Sequence, residues 1–155
     1  MKTPLLAFAL CATVVGAAVG AEPVPGEHAR RTLEIYRHII EVDTSKTTGN
    51  TPRVARYLAD HFLEAGFPAE DVRVVPKDSF ASLIVTYRGD GSSGRKPILF
   101  LGHMDVVEAY AKDWERPPFE LTRDETNFYA RGTIDNKFGV AQLTSTFLRL
   151  KEEGF

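Results

Sequence analysis

One cysteine in 155 residues, Cys11, is too few for a disulfide framework or a cysteine metal site, and it lies in a segment that reads as removable. A dominant charge is missing too. Nineteen Lys and Arg stand against 21 Asp and Glu, a formal net charge of -2, so nothing points to nucleic acid or an anionic membrane surface as partner. No apolar run outside the first twenty residues is long enough to span a bilayer, and no internal repeat or low-complexity tract breaks the chain. What is present, 43% hydrophobic residues over 155, suffices for one domain with a core.

Residues 1–21 are expected to stand outside that domain. Lys2 gives a positive start, Leu5 to Val19 an apolar run rich in Ala and Gly, and Val19-Gly20-Ala21 a small-residue cleavage site. The reading is a secretory signal peptide cut after Ala21, with an uncleaved anchor as the alternative. The mature chain, 22–155, would then be periplasmic or secreted, with no membrane span left. Glu22 to Gly26 reads as a linker.

From Glu27 to Val42, Leu33, Tyr36, Ile39 and Ile40 recur at helical spacing opposite Arg30, Arg31, Glu34 and Arg37. A second amphipathic helix is expected from Thr51-Pro52, with Thr51 as N-cap and proline at the first helical position, to a stop at Gly66. His28, His38 and His61 fall on or near polar stripes and read as surface histidines. Val72 to Val75 and Ser82 to Tyr87 read as strands. Gly89 to Lys96 reads as a plain loop, its glycines following no phosphate-loop spacing. Phe119 to Thr122 and Asn127 to Tyr129 predict a small hairpin across Arg123-Asp124-Glu125. A last helix runs from Asn136 to Glu153, with Val140, Leu143, Phe147 and Leu150 on one stripe and Gly154 as its stop. Together these elements predict one three-layer α/β domain.

Two stretches carry chemistry. In Pro97 to Asp105, the apolar run Ile98 to Leu101 fits a strand buried on both faces, and it ends in Gly102-His103-Met104-Asp105. The C-terminal ends of such strands are where ligands collect. With a side-chain period of two, His103 and Asp105 can point the same way, the carboxylate holding one imidazole nitrogen while the other faces a metal. The alternative is a strand-end His and Asp that solvate a loop. The second stretch is Ala130-Arg131-Gly132-Thr133-Ile134-Asp135-Asn136-Lys137. Its Asp135 stands at the start of the last helix, where on position alone it reads first as an N-cap.

The ordered set Gly102-His103-Met104-Asp105-Val106-Val107, Asp113-Trp114 with Pro118-Phe119, and Ala130 to Lys137 resembles the di-zinc metallopeptidases. That family includes aminoacylase, glutamate carboxypeptidase and succinyl-diaminopimelate desuccinylase. The resemblance runs from about Arg30 to the last residue. It implies a zinc-exopeptidase-like fold with a mixed, largely parallel central sheet, here truncated to the N-terminal part of the catalytic domain. It also implies a cis peptide bond at Asp135–Asn136. By resemblance His103 would bind one zinc, Asp105 would clamp its imidazole as a catalytic residue, and Asp135 would bridge two zinc ions, other divalent metals being compatible. Glu108 and Ala130 depart from the family's common proline and glycine without removing a ligand.

The implied activity is hydrolysis of a peptide or N-acyl amide bond by metal-activated water, on a small peptide or N-acyl amino acid. The family's general-base glutamate pair, remaining ligands and lid or dimerisation domain have no counterpart here, so a homodimer is an option for the full-length enzyme only. Glu152 and Glu153, at a helix end, read as surface residues. The alternative expectation is a truncated, catalytically inactive secreted product that at most binds metal weakly.

Overall fold

The computed structural model describes residues 26–155; the expected signal segment 1–21 lies outside the described residues. Helix α1 spans Glu27–Glu41 and buries Ile35, Tyr36, Ile39 and Ile40. Helix α2 spans Thr51–Glu64, with Val54, Leu58 and Phe62 on its inner face. Its end closes as the sequence predicts. Gly66, at φ 83°, donates from its N–H to Leu63 O, Phe67 N–H reaches back to Phe62 O, and the Phe62 and Phe67 rings meet edge-on at 5.1 Å. A glycine adopts this left-handed step without the Cβ penalty other residues meet.

The start of α2 differs from expectation. Asn50, not Thr51, is the N-cap, and no side chain caps the helix. The Thr51 hydroxyl instead accepts a hydrogen bond from the buried Ala81 N–H at 3.0 Å, joining α2 to the sheet. That sheet is an antiparallel hairpin of β1, Val72–Lys77, and β2, Phe80–Val85, paired from Val72↔Val85 to Lys77↔Phe80. Its inner residues, Val72, Leu83 and Val85 among them, pack on the shared core beside α2. A second hairpin, β3 (Thr122–Arg123) with β4 (Phe128–Tyr129), is shorter than expected. The reason is Asp124: its carboxylate accepts from the N–H groups of Thr126 and Asn127 and from the Tyr129 hydroxyl, making a wider turn.

Helix α3, Lys137–Glu152, closes the fold. It packs along α1, where Thr32 and Ser145 share a hydroxyl–hydroxyl hydrogen bond. Its most deeply buried positions are Lys137, Val140, Ala141, Thr144, Ser145 and Leu148, while Leu143, Phe147 and Leu150 are only half-buried. The inward stripe is thus turned towards smaller residues that let α1 approach closely.

The expected central sheet is not formed by the described residues. Ile98 to Leu101 is not a strand: it has no pairing partner, and its side chains are 54 to 82% exposed. Phe100 touches Phe147 of α3, so one face has a helix beside it, while both edges lack a neighbour. A four-residue run cannot be buried on two faces with one covered side. Among the described residues parallel pairing is confined to a single bridge, Ser45↔Val106. Their architecture is therefore α/β with two small antiparallel sheets and three α-helices, and a largely parallel sheet does not follow from it. Among the described residues no helix is long and apolar enough to cross a membrane.

Candidate functional site

The stretch after Gly102 keeps a strand's alternation without a strand's ladder. Met104 is half-buried and Val106 buried, while His103, Asp105 and Val107 face out. What holds it is the segment that follows α1. The Thr44 hydroxyl donates to Met104 O at 2.7 Å, and Ser45 bridges Val106. Thr44 and Ser45 are themselves buried.

The His103 ring spans two acids. Its Nε2 lies 2.8 Å from Asp135 Oδ1; its Nδ1 lies 3.1 Å from the Asp105 carbonyl oxygen and 3.3 Å from Asp105 Oδ1. Both nitrogens thus meet oxygens that can only accept, which suits a doubly protonated ring or a cation in place of one proton. Partial burial lowers the His103 pKa. The hydrogen bonds to Asp135 and to the Asp105 carbonyl, with both carboxylate charges, outweigh it, and the net shift is upward from 6.5.

Asp135 arrives from the other side. Its carboxylate is well exposed, and Asn136 is the N-cap of α3, so Asp135 does not cap the helix. The Asp135–Asn136 peptide is cis. Three residues earlier Gly132 sits at φ 88°, and a Cβ there would lie 2.9 Å from Val106 Cγ1 and 3.2 Å from Lys137 Cδ. The turn before Asp135 therefore rests on the stretch after His103 with no room for a side chain.

Motif spacing does not single out Lys137. Its side chain is fully buried, and its ammonium donates to Val42 O at 2.7 Å. Burial pushes its pKa down to about 8, with Asp43 acting in the opposite sense. A lysine at the first position of a helix, where the dipole disfavours a cation, was the available signal.

An open cleft of about 650 Å³ adjoins the pair, lined by His103, Asp105 and Asp135 and also by Lys46, Phe80 and Arg131. Lys46 and Phe80 are remote in sequence, and no local pattern marks them. The acids and histidines set aside in the sequence reading stay apart from this cleft. Glu152 pairs with Arg31 and Glu153 with Arg149, while His38 and His61 pack on the Tyr57 ring and His28 lies 3.9 Å from Glu152.

An imidazole nitrogen and a carboxylate oxygen are donors that zinc accepts, and His103 Nε2 and Asp135 Oδ1 meet at one point. The pair fits a metal in kind and placement. It supplies two donors where a catalytic zinc takes three protein ligands, and among the described residues no group of three His, Cys, Asp or Glu gathers around one.

Residues 99–155 match the family described as Peptidase family M20/M25/M40. The chain is 36% identical over 126 residues to a protein of Staphylococcus aureus named probable succinyl-diaminopimelate desuccinylase, a match covering 80% of this chain and 29% of that relative. A protein of the same name from Staphylococcus epidermidis is 35% identical over 121 residues, covering 77% of this chain and 28% of the relative. Aminoacylase-1 of Mus musculus is 30% identical over 129 residues, covering 83% of this chain and 30% of the relative. The chain spans less than a third of the length of the curated relatives it matches.

Proposed function

We propose that this chain, whose residues 99–155 match the peptidase family M20/M25/M40, carries part of the catalytic domain of a metal-dependent hydrolase acting on a small peptide or N-acyl amino acid. The observation that carries the reading is the meeting of His103 Nε2 and Asp135 Oδ1 at 2.8 Å, with the other ring nitrogen turned to Asp105. His103 and Asp135 would hold zinc, which when bound would supply an activated water and polarise the scissile carbonyl. Asp105 fixes the orientation of the imidazole, and the cleft beside the pair gives an acyl or peptide substrate room to enter.

The share of each relative that is matched supports reading 22–155 as one part of that catalytic domain, and the Lys2-to-Ala21 pattern supports a secreted or periplasmic destination. A second reading is a product that binds metal weakly and has no activity. It draws on the donor count, two donors with no third His, Cys, Asp or Glu gathered beside them among the described residues. Purified residues 22–155 with added zinc separate the two, since zinc-dependent hydrolysis abolished by His103→Ala would overturn the inactive reading.

In the complete gene product, His103→Ala abolishes zinc-dependent amide hydrolysis. Asp105→Asn weakens metal binding or activity by about ten- to a hundred-fold with the fold intact. Wild-type activity and zinc content in both variants would overturn the proposal.

A further inference from the structure

We propose that Lys137 is a positioning residue for this site: its buried ammonium ties the Asp135 side to the segment that carries the His103 side. The inference rests on the reading of His103 and Asp135 as a functional pair, and the geometry behind it is a shared anchor. Segment 42–45 leaves α1 and enters the interior, with Val42, Thr44 and Ser45 all buried. Thr44 and Ser45 fasten the stretch after His103, through Met104 O and the bridge to Val106. From the opposite direction Lys137, two residues after Asp135, reaches Val42 O with its ammonium. Its stem fills the space beside Gly132 that a Cβ would need, and its own N–H returns to Gly132 O at 3.2 Å. The two halves of the pair, 32 residues apart in sequence, are thus set against each other through Val42, Thr44, Ser45 and Lys137, none of which is a partner in the hydrogen bonds of the His103 ring.

A lysine serving only to fill space is an expensive filler here. Replacing a buried charge by an apolar side chain of similar volume is often neutral or stabilising. Methionine would occupy the same channel without desolvating an ammonium beside a helix N-terminus. What methionine cannot do is hold Val42 O, and the position of the 42–45 segment relative to α3 then rests on packing alone.

The test needs neither metal nor turnover, so it stays readable if the hydrolase assignment fails. In the metal-free 155-residue chain at about pH 6, long-range 1H–15N spectra of the His103 ring report the Nε2–H bonded to Asp135. Lys137→Met is expected to lose that hydrogen-bonded signal while helix content and the thermal midpoint hold. A signal unchanged from wild type would overturn the proposal. In the wild type, the Lys137 ammonium should show a through-hydrogen-bond coupling to the Val42 carbonyl carbon, and its absence would equally sink the idea. If Lys137→Met does not fold, aminoethylated Lys137→Cys is compared with the S-propylated form. Recovery of the His103 signal by the amine alone supports the tie, and recovery by both removes it.

Discussion

At the residue scale, His103 balances on its two acids, and its protonation is the quantity most open to measurement. Its pKa is raised in the folded chain above 6.5. The protonated ring therefore adds stability that is fully present below 6.5 and is lost as pH climbs through the raised value. With both side chains substantially exposed, the increment is small. The difference in denaturation midpoint between wild type and His103→Ala should shrink from about pH 6 to about pH 8.5, and a flat difference would contradict the pairing. A metal ligand must shed the same proton, so zinc affinity should rise over that interval. The motifs that point to His103, Asp105 and Asp135 are local, and the structure brings the three residues together. Lys137 was not legible in this way, since its partner is a backbone carbonyl 95 residues away and a carbonyl has no letter in the sequence.

At the scale of elements, two joints hold the layers in place. The Thr51 hydroxyl is the partner of the buried Ala81 N–H. Thr51→Val keeps the shape and orphans that donor, which should cost about 1–3 kcal/mol in chemical denaturation. A change within error would mean that the N–H finds another acceptor. Gly132→Ala sets a Cβ at φ 88° against Val106 and the Lys137 stem. Backbone strain alone is worth about 1–2 kcal/mol, and the contact adds to it, so the loss should exceed that figure and fall when combined with Val106→Ala. All three helices were legible, because amphipathic spacing and the closing glycines are local codes. The strand expected at Ile98 to Leu101 was not sound: an apolar run records a tendency to be buried, while strand pairing depends on neighbours that the run itself does not specify.

At the scale of the whole molecule, family and α/β class were readable from the order of motifs, whereas sheet topology was not. The molecule is also divided in an unexpected place. The loop 89–96 is exposed throughout, and Arg95 precedes Lys96-Pro97, so Arg95–Lys96 is the bond trypsin should cut first. After brief digestion the two pieces should elute together under native conditions, since α1 and α3 pack along each other and Thr44 and Lys137 bridge the cut, and separate only in denaturant. Pieces that part on dilution would show those joints to be weak. The anchor segment 42–45 then acquires a genetic meaning. His103, Asp105 and Asp135 are encoded downstream of codon 95, and the bed on which they are aligned is encoded upstream. Expressed as two separate polypeptides, neither half would hold the pair in register until it met the other.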